Sequence, residues 1–183
     1  GIRTGIPIRE ELLTGDRQKG KRICGFTDDK PVLMIIGGSQ GSEKINDAVR
    51  SILPELLKNF NVCHICGRGN VHKELENKKG YRQFEYISDE QPHIFALADI
   101  VVSRAGATTL FELLALKKPN LLIPLSKAAS RGDQIMNALS FEKQGYSMVL
   151  QEENMNAETL LKAIHKLHDT ADKFVSAMSE AEN

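Results

Sequence analysis

The sequence predicts an α/β fold in which about six parallel strands form a doubly wound sheet. Apolar runs rich in β-branched residues, such as residues 32–36 and 100–102, suit strands that are buried on both faces. Segments with helical spacing of apolar residues lie between these runs, and parallel strands require such crossover connections. Turns made of glycine and other small residues follow the first and the fourth run, at residues 37–42 and 103–109.

The predicted elements alternate along the chain after a polar and irregular stretch, residues 1–30, that contains a short helix at 10–13. The apolar runs predict strands at residues 32–36, 62–66, 83–87, 99–102, 121–123 and 147–150. Helical spacing and capping signals predict helices at residues 43–58, 92–97, 109–118, 133–144, 157–168 and 171–178. We expect Pro54 to bend the first of these helices or to start a new turn, and residues 71–79 to form a polar helix or a loop.

Length and composition predict one domain with one core, because 183 residues are too few for two domains of ordinary size. The formal net charge is zero, so no basic field favours nucleic acid. Neither a signal peptide nor a run of about 20 apolar residues is present, which favours a cytosolic domain without a transmembrane segment. The chain opens without Met and reads as mid-protein, so we expect a fragment whose N-terminal part is missing.

The order of the strands places the two small-residue turns. If the sheet has the common order 3-2-1-4-5-6, strands one and four are neighbours at the topological switch point, and residues 37–42 and 103–109 face each other there. Backbone N–H groups at strand-to-helix turns are open to a ligand, and the helix dipole favours an anion. The sequence therefore predicts an anion site, suited to a nucleotide diphosphate.

Two polar residues near the second turn have alternative interpretations. Glu112 can accept the two hydroxyls of a ribose, or it can form a capping box with Thr109; we favour the ribose. Arg104 can pair with a phosphate or with a surface carboxylate, and we favour the carboxylate.

Asp133 and Gln134 follow the fifth strand on the same edge of the sheet. Together they can accept from and donate to sugar hydroxyls, although Asp133 is as well suited to capping the next helix. We expect Asn137 to brace the loop before that helix rather than to contact a ligand. Cys63 and Cys66 have C-x-x-C spacing, but they lie in a strand-like run and are interpreted as plain strand cysteines; no metal site is visible.

Four motifs in this order resemble the C-terminal half of the MurG family. They are Gly5-Ile-Pro-Ile-Arg9, Gly37-Gly-Ser-Gln-Gly41, Ser103-Arg-Ala-Gly-Ala-Thr-Thr-Leu-Phe-Glu112 and Asp133-Gln-Ile-Met-Asn-Ala138. Members of that family are UDP-N-acetylglucosamine transferases that complete lipid II in bacterial peptidoglycan synthesis. The resemblance implies one half of a GT-B glycosyltransferase, with a Rossmann-like domain that holds the nucleotide sugar and inverting chemistry that needs neither metal nor cofactor.

The resemblance also implies a role for individual residues. The diphosphate would face Gly38, Ser39, Gln40 and Gly41 and the backbone at Gly106, Ala107 and Thr108. Glu112 would hold the ribose, the backbone at Ile87 the uracil, Asp133 and Gln134 the hydroxyls of N-acetylglucosamine, and Arg9 would lie near the donor. The family often has two adjacent glutamines where this chain has Asp133 and Gln134, which bears on donor sugar specificity.

The expected function is therefore that of a UDP-sugar donor-binding domain, residues 1–183, that is inactive alone. Residues 1–30 would lead in from the missing N-terminal domain, which carries the general base and the lipid acceptor site, and residues 155–183 would form C-terminal helices. The resemblance implies a full-length protein that is peripheral on the cytoplasmic face of the membrane. Two alternatives remain: a different UDP-sugar:lipid glycosyltransferase of the same superfamily, or a stand-alone donor-binding subunit that needs a partner chain.

Overall fold

The computed structural model describes residues 10–37 and 42–181, with Ser42 described by its backbone alone. Six strands form one sheet in the order β3-β2-β1-β4-β5-β6, which confirms the predicted doubly wound α/β fold. Parallel pairing joins β1 to β2, β2 to β3, β4 to β5 and β5 to β6. The strands are β1 (Val32–Ile36), β2 (Asn61–Ile65), β3 (Tyr81–Phe84), β4 (Ile100–Ser103), β5 (Asn120–Leu122) and β6 (Ser147–Val149).

Among the described residues, α-helices lie in every connection between successive strands except that from β2 to β3; one more precedes β1 and two follow β6. They are α1 (Arg17–Cys24), α2 (Ser42–Ser51), α3 (Leu53–Asn59), α4 (Gln91–Leu97), α5 (Ala107–Leu116), α6 (Lys127–Ser130), α7 (Asp133–Lys143), α8 (Ala157–Asp169) and α9 (Ala171–Glu180). Short 3₁₀ turns lie at Glu10–Thr14, Lys73–Leu75 and Glu152–Asn154. The break between α2 and α3 confirms the prediction for Pro54, which lies in the first turn of α3, where a missing N–H costs nothing.

Contacts divide the described residues into two compact units after Asp99. The first unit holds β1, β2 and β3, and every residue of β2 is buried. Its apolar core includes Leu33, Met34, Ile35 and Val62. The second unit holds β4, β5 and β6, with a core that includes Leu121, Leu122 and Ile164. The continuous apolar runs of the sequence thus become strands covered on both faces.

Helix α1 corrects the prediction that residues 1–30 are irregular apart from 10–13. Asp16 caps it by accepting hydrogen bonds from the N–H groups of Gln18 and Lys19, at 2.9 and 3.3 Å. A Cβ on Gly15 would lie 1.9 Å from Pro92 O, and a Cβ on Gly20 would lie 2.3 Å from His93 O. Gly15, just before α1, and Gly20, within it, therefore pack on α4 in place of large apolar side chains, so the sequence here has few apolar residues from which a helix could be predicted.

Smaller differences concern the ends of elements near the predicted site. Strand β3 ends at Phe84, so Ile87 lies in the loop between β3 and α4 rather than in a strand. Helix α5 begins at Ala107, two residues earlier than predicted. Among the described residues, no helix has the length and apolar character that crossing a membrane requires. Residues 71–79 contain one 3₁₀ turn, Lys73–Leu75.

Candidate functional site

The start of α5 presents backbone N–H groups that no side chain caps. Strand β4 is buried throughout, and the chain then passes through buried Arg104 and Ala105 before Gly106 at the N-cap. Ala107 and Thr108 are exposed. Within the described residues, no acceptor is found for the amide hydrogens of these two residues. The N–H groups in the first turn of α5 are therefore open to an acceptor; that this acceptor is an anion stays a prediction.

Glu112 lies in the second turn of α5 and is nine-tenths buried, with 9% of its surface exposed. The alternative that it forms a capping box with Thr109 is wrong, because the N-cap is Gly106 and Thr109 is the third residue of the helix. Glu112 is therefore a buried carboxylate on α5, about one turn beyond the exposed N–H groups of Ala107 and Thr108.

Gln134 links the turn before α5 to the loop after β5. Its Oε1 accepts hydrogen bonds from the N–H groups of Ala105 and Leu125, at 3.1 and 3.0 Å. Its Nε2 lies beside Gly106, 3.9 Å from the position that a Cβ there would occupy. Asn137 Nδ2 donates to Ala105 O at 3.2 Å, so this side chain braces the turn before α5. The sequence had predicted that it braces the loop before α7. Helix α7 therefore fixes the position of the candidate anion site.

We predict that two mutations can separate the role of Gln134 Oε1 as an acceptor from the role of Gln134 Nε2 as a donor. Gln134→Leu leaves two partly buried N–H groups without this acceptor and should lower the free energy of unfolding by about 2 kcal/mol. Gln134→Glu keeps the acceptor oxygens and should cost less than about 1 kcal/mol, while removing the Nε2 donor. Urea unfolding of both variants checks this, and equal losses would contradict the assignment.

Asp133 is exposed at the first position of α7. The alternative that it caps the helix is wrong, because the N-cap is Gly132, at φ 87°, and no side chain caps the helix. Arg131 and Gly132 both have positive φ, which turns the chain sharply into α7. The Asp133 carboxylate is left facing solvent beside Gln134, where it can accept hydrogen bonds from a ligand.

Arg104 pairs with a carboxylate, as favoured from the sequence, but the pair is buried rather than on the surface. Its Nη1 lies 2.5 Å from Glu152 Oε2, and the two side chains are 6% and 11% exposed. The same nitrogen donates to Ile123 O at 3.1 Å. Arg104 thus ties the turn after β4 to the chain that follows β5 and to the 3₁₀ turn after β6.

Ile87 presents a backbone without internal partners in the part of the chain that the structure describes. Neither its N–H nor its C=O forms a hydrogen bond there. The turn that follows is held by Ser88 N–H donating to Glu90 Oε1 at 3.0 Å and by Gln91 N–H donating to Ser88 O at 3.0 Å. The hydrogen bond from Ser88 lowers the pKa of Glu90. The backbone at Ile87 can therefore serve a ligand that both donates and accepts.

Five of the predicted site residues lie outside the described residues: Arg9, Gly38, Ser39, Gln40 and Gly41. Their roles remain predictions, and so does the expectation that residues 37–42 and 103–109 face each other. Cys63 lies in β2, which confirms the prediction for it, whereas Cys66 lies one residue beyond the strand; both are buried and neither forms a disulfide. Burial raises the pKa of the Cys66 thiol to about 11.

A buried polar cluster in the first unit was missed by sequence reasoning. His64 Nε2 lies 2.7 Å from Asn46 Oδ1, and His64 Nδ1 lies 2.7 Å from the Tyr81 hydroxyl. Because an amide oxygen only accepts, Nε2 carries the hydrogen and Nδ1 accepts from Tyr81. Burial, aided by the positive charge of Arg50, lowers the pKa of His64 to about 3. Burial of Tyr81 raises its pKa to about 12, which keeps its hydroxyl a donor.

The buried neutral His64 predicts a loss of stability on mild acidification. In the unfolded chain histidine titrates near 6.5, whereas in the folded chain the pKa is about 3. The unfolded state therefore binds an extra proton below pH 6.5, and the free energy of unfolding should fall towards a slope of about 1.4 kcal/mol per pH unit. Urea unfolding between pH 7.5 and 5, above the range where most carboxyl groups titrate, checks this.

A His64→Gln variant supplies the control for that measurement. It should lose most of this dependence on pH, because the buried ring that excludes the proton is gone. A free energy of unfolding that is flat between pH 6.5 and 5 would contradict the buried neutral state of His64.

Solved structures of glycosyltransferases share this fold. A glycosyltransferase of kitacinnamycin superimposes with a TM-score of 0.69 at 16% identity, over 99% of this chain and 42% of that one. MurG of Acinetobacter baumannii superimposes with a TM-score of 0.68 at 22% identity, over 88% of this chain and 46% of that one. The fold is that of one domain of the GT-B glycosyltransferases.

The chain belongs to glycosyltransferase family 28, since the model of that family's C-terminal domain matches residues 32–183. Curated relatives in Clostridium tetani and Clostridium kluyveri are 55% and 60% identical over 99% and 97% of this chain. Both are named UDP-N-acetylglucosamine--N-acetylmuramyl-(pentapeptide) pyrophosphoryl-undecaprenol N-acetylglucosamine transferase. The chain spans about half the length of these relatives, 51% and 50%.

Proposed function

We propose that this chain is the donor half of an inverting glycosyltransferase that moves N-acetylglucosamine from UDP-N-acetylglucosamine to lipid I, which makes lipid II. The names of relatives that are 55 to 60% identical support this choice of donor and acceptor. The observation that carries the proposal is the start of α5, where exposed N–H groups at Ala107 and Thr108 precede the buried carboxylate of Glu112. A diphosphate followed by a ribose matches that order of groups.

In this reaction, the chain stabilises the leaving group, which is the nucleoside diphosphate of the donor. Cleavage of the donor leaves negative charge on the diphosphate, and fixed backbone amides with a helix dipole can meet that charge without reorganising. The turn before α5 is suited to this because Gln134 and Asn137 of α7 hydrogen-bond the backbone of Ala105 and because Arg104 pairs with Glu152. The general base and the lipid acceptor site belong to the N-terminal domain of the full-length protein, so this chain binds donor and does not turn over alone.

Contacts to the donor divide between backbone and side chains. Glu112 accepts the ribose hydroxyls, and the backbone at Ile87 pairs with the uracil. Gln134 Oε1 already accepts two N–H groups, so its Nε2 is the atom left to donate to the sugar. The exposed Asp133 carboxylate then accepts from a sugar hydroxyl. The glycine-rich residues 38–41 face the diphosphate, and Arg9 lies near the donor.

Calorimetric titration of the 183-residue chain tests the proposal. Saturable binding of UDP and of UDP-N-acetylglucosamine is expected, with uridine much weaker because it lacks the anion. ADP serves as the control for base recognition at Ile87 and should bind more weakly than UDP. Failure to bind UDP at millimolar concentration would contradict the proposal.

Two further candidates concern the acceptor and the organisation of the enzyme. One candidate is a different UDP-sugar:lipid glycosyltransferase, which Asp133 favours because the family often has glutamine there. Product analysis on the full-length protein distinguishes this candidate from the proposed enzyme. A stand-alone donor-binding subunit with a partner chain is the other candidate. An open reading frame that extends about 150 residues upstream, about one more domain, would exclude it.

We propose that the full-length protein lies on the cytoplasmic face of the membrane, where the lipid-linked acceptor is available. Cell fractionation tests this: finding the full-length enzyme only in the soluble fraction, with none bound to the membrane, would contradict it.

A further inference from the structure

The side chain of Asn46 joins the first turns of α2 to the chain beyond β2. Asn46 is the fifth residue of α2 and 2% exposed. Its Nδ2 donates to Cys66 O at 2.8 Å, just past the end of β2, and its Oδ1 accepts from His64 Nε2 at 2.7 Å. Both polar ends of the side chain are thus satisfied by one strand and its continuation.

His64 restricts the Asn46 side chain to one hydrogen-bonding arrangement. Its ring is fully buried, and the Tyr81 hydroxyl donates to its Nδ1 at 2.7 Å, so the hydrogen must stay on the nitrogen that faces Asn46. A buried network in which every member is paired specifies one arrangement, because any other leaves a polar group unsatisfied. The cluster therefore fixes both the rotation and the axial position of the first turns of α2 against β2 and β3.

Helix α2 begins at Ser42, directly after the glycine-rich residues 37–41 that are proposed to face the diphosphate. We propose that Asn46 and His64 are positioning residues for the donor diphosphate: they hold the first turn of α2 in place without touching the nucleotide. This inference rests on the proposed function, since it assigns the two residues to the binding of the same ligand. Loss of the Asn46 hydrogen bonds lets the start of α2 shift and should weaken the contacts to phosphate while leaving those to base and ribose intact.

The test compares the affinities of Asn46→Ala for UDP and for uridine with those of the unchanged chain. UDP should bind about tenfold more weakly, the cost of one to two buried hydrogen bonds, and uridine should bind within about twofold. Asn61→Ala is the matched control, because Asn61 is 3% exposed, lies at the opposite end of β2 and donates to Asp28 Oδ1 at 2.8 Å. This control should lose stability but keep the affinity for UDP.

Each outcome bears on the inference. It is overturned if Asn46→Ala binds UDP as tightly as the unchanged chain, if UDP and uridine weaken equally, or if Asn61→Ala weakens UDP as much. An unchanged chain that binds no UDP contradicts the proposed function instead, before any variant is made. If Asn46→Ala does not fold, Asn46→Ser keeps a polar group but cannot reach Cys66 O and His64 together, and the same selective loss for UDP is required.

Discussion

Replacing Arg104 with methionine is expected to lower the free energy of unfolding by about 3 to 5 kcal/mol. The substitution leaves the carboxylate of Glu152, which is 11% exposed, without its guanidinium partner. It also removes the donor to Ile123 O. A buried carboxylate that loses its guanidinium and a carbonyl that loses its donor are both costly, so the two effects have the same sign. Urea unfolding at pH 7 measures the loss.

Two variants control this measurement. Arg68→Met makes the same exchange at an exposed position and should change the free energy of unfolding by no more than about 0.5 kcal/mol. Adding Glu152→Leu to Arg104→Met removes the buried charge and should restore more than half of the loss, because apolar replacements of a buried ion pair are often near neutral. A loss below about 1 kcal/mol for Arg104→Met alone would show that the pair does not hold the turn after β4.

Replacing Glu112 with glutamine is expected to weaken UDP binding by roughly 10- to 100-fold. The proposed ligand contact is a carboxylate that accepts from both ribose hydroxyls, and hydrogen bonds to a charged acceptor are about twice as strong as neutral ones. Glutamine has nearly the same volume, so packing around this position, 9% exposed, is retained. Calorimetric titration with UDP measures the change, and Glu112→Ala should weaken binding at least as much.

The ribose itself supplies the sharper control. The unchanged chain should bind UDP more tightly than 2′-deoxy-UDP, whereas Glu112→Gln should bind the two with nearly equal affinity. Glu142→Gln, at an exposed position on α7, should leave both affinities unchanged. If Glu112→Gln still distinguishes UDP from 2′-deoxy-UDP as strongly as the unchanged chain, the ribose assignment is wrong.

Sheet order and most elements could be predicted because strands that are buried on both faces leave continuous apolar runs in the sequence. Helix α1 could not, since its buried residues are Gly20 and Cys24 and most of its other residues are charged or polar. The end of β3 was placed too late because Ile87 extends the apolar pattern past the last paired residue, Phe84. Local propensity cannot show where a neighbouring strand stops pairing.

For the site, the open turn before α5 could be predicted because small residues directly follow a buried strand. The bracing of that turn could not, because its partners are distant in sequence: Gln134 is 29 residues from Ala105, and Glu152 is 48 residues from Arg104. Such pairs depend on tertiary packing. Asp133 as a cap and Thr109 in a capping box were wrong for a related reason, since glycines at positions 132 and 106 start both helices.

The close packing of α1 on α4 has a consequence for the loop at Ile87. Because the carbonyls of Pro92 and His93 occupy the space that a Cβ on Gly15 or Gly20 would need, any side chain at either glycine must push α4 outward. The turn from Ser88 to Gln91 leads straight into α4 and would follow that displacement. If the backbone at Ile87 pairs with the uracil, as proposed, Gly20→Ala should reduce the preference for UDP over ADP, which calorimetric titration with the two nucleotides measures.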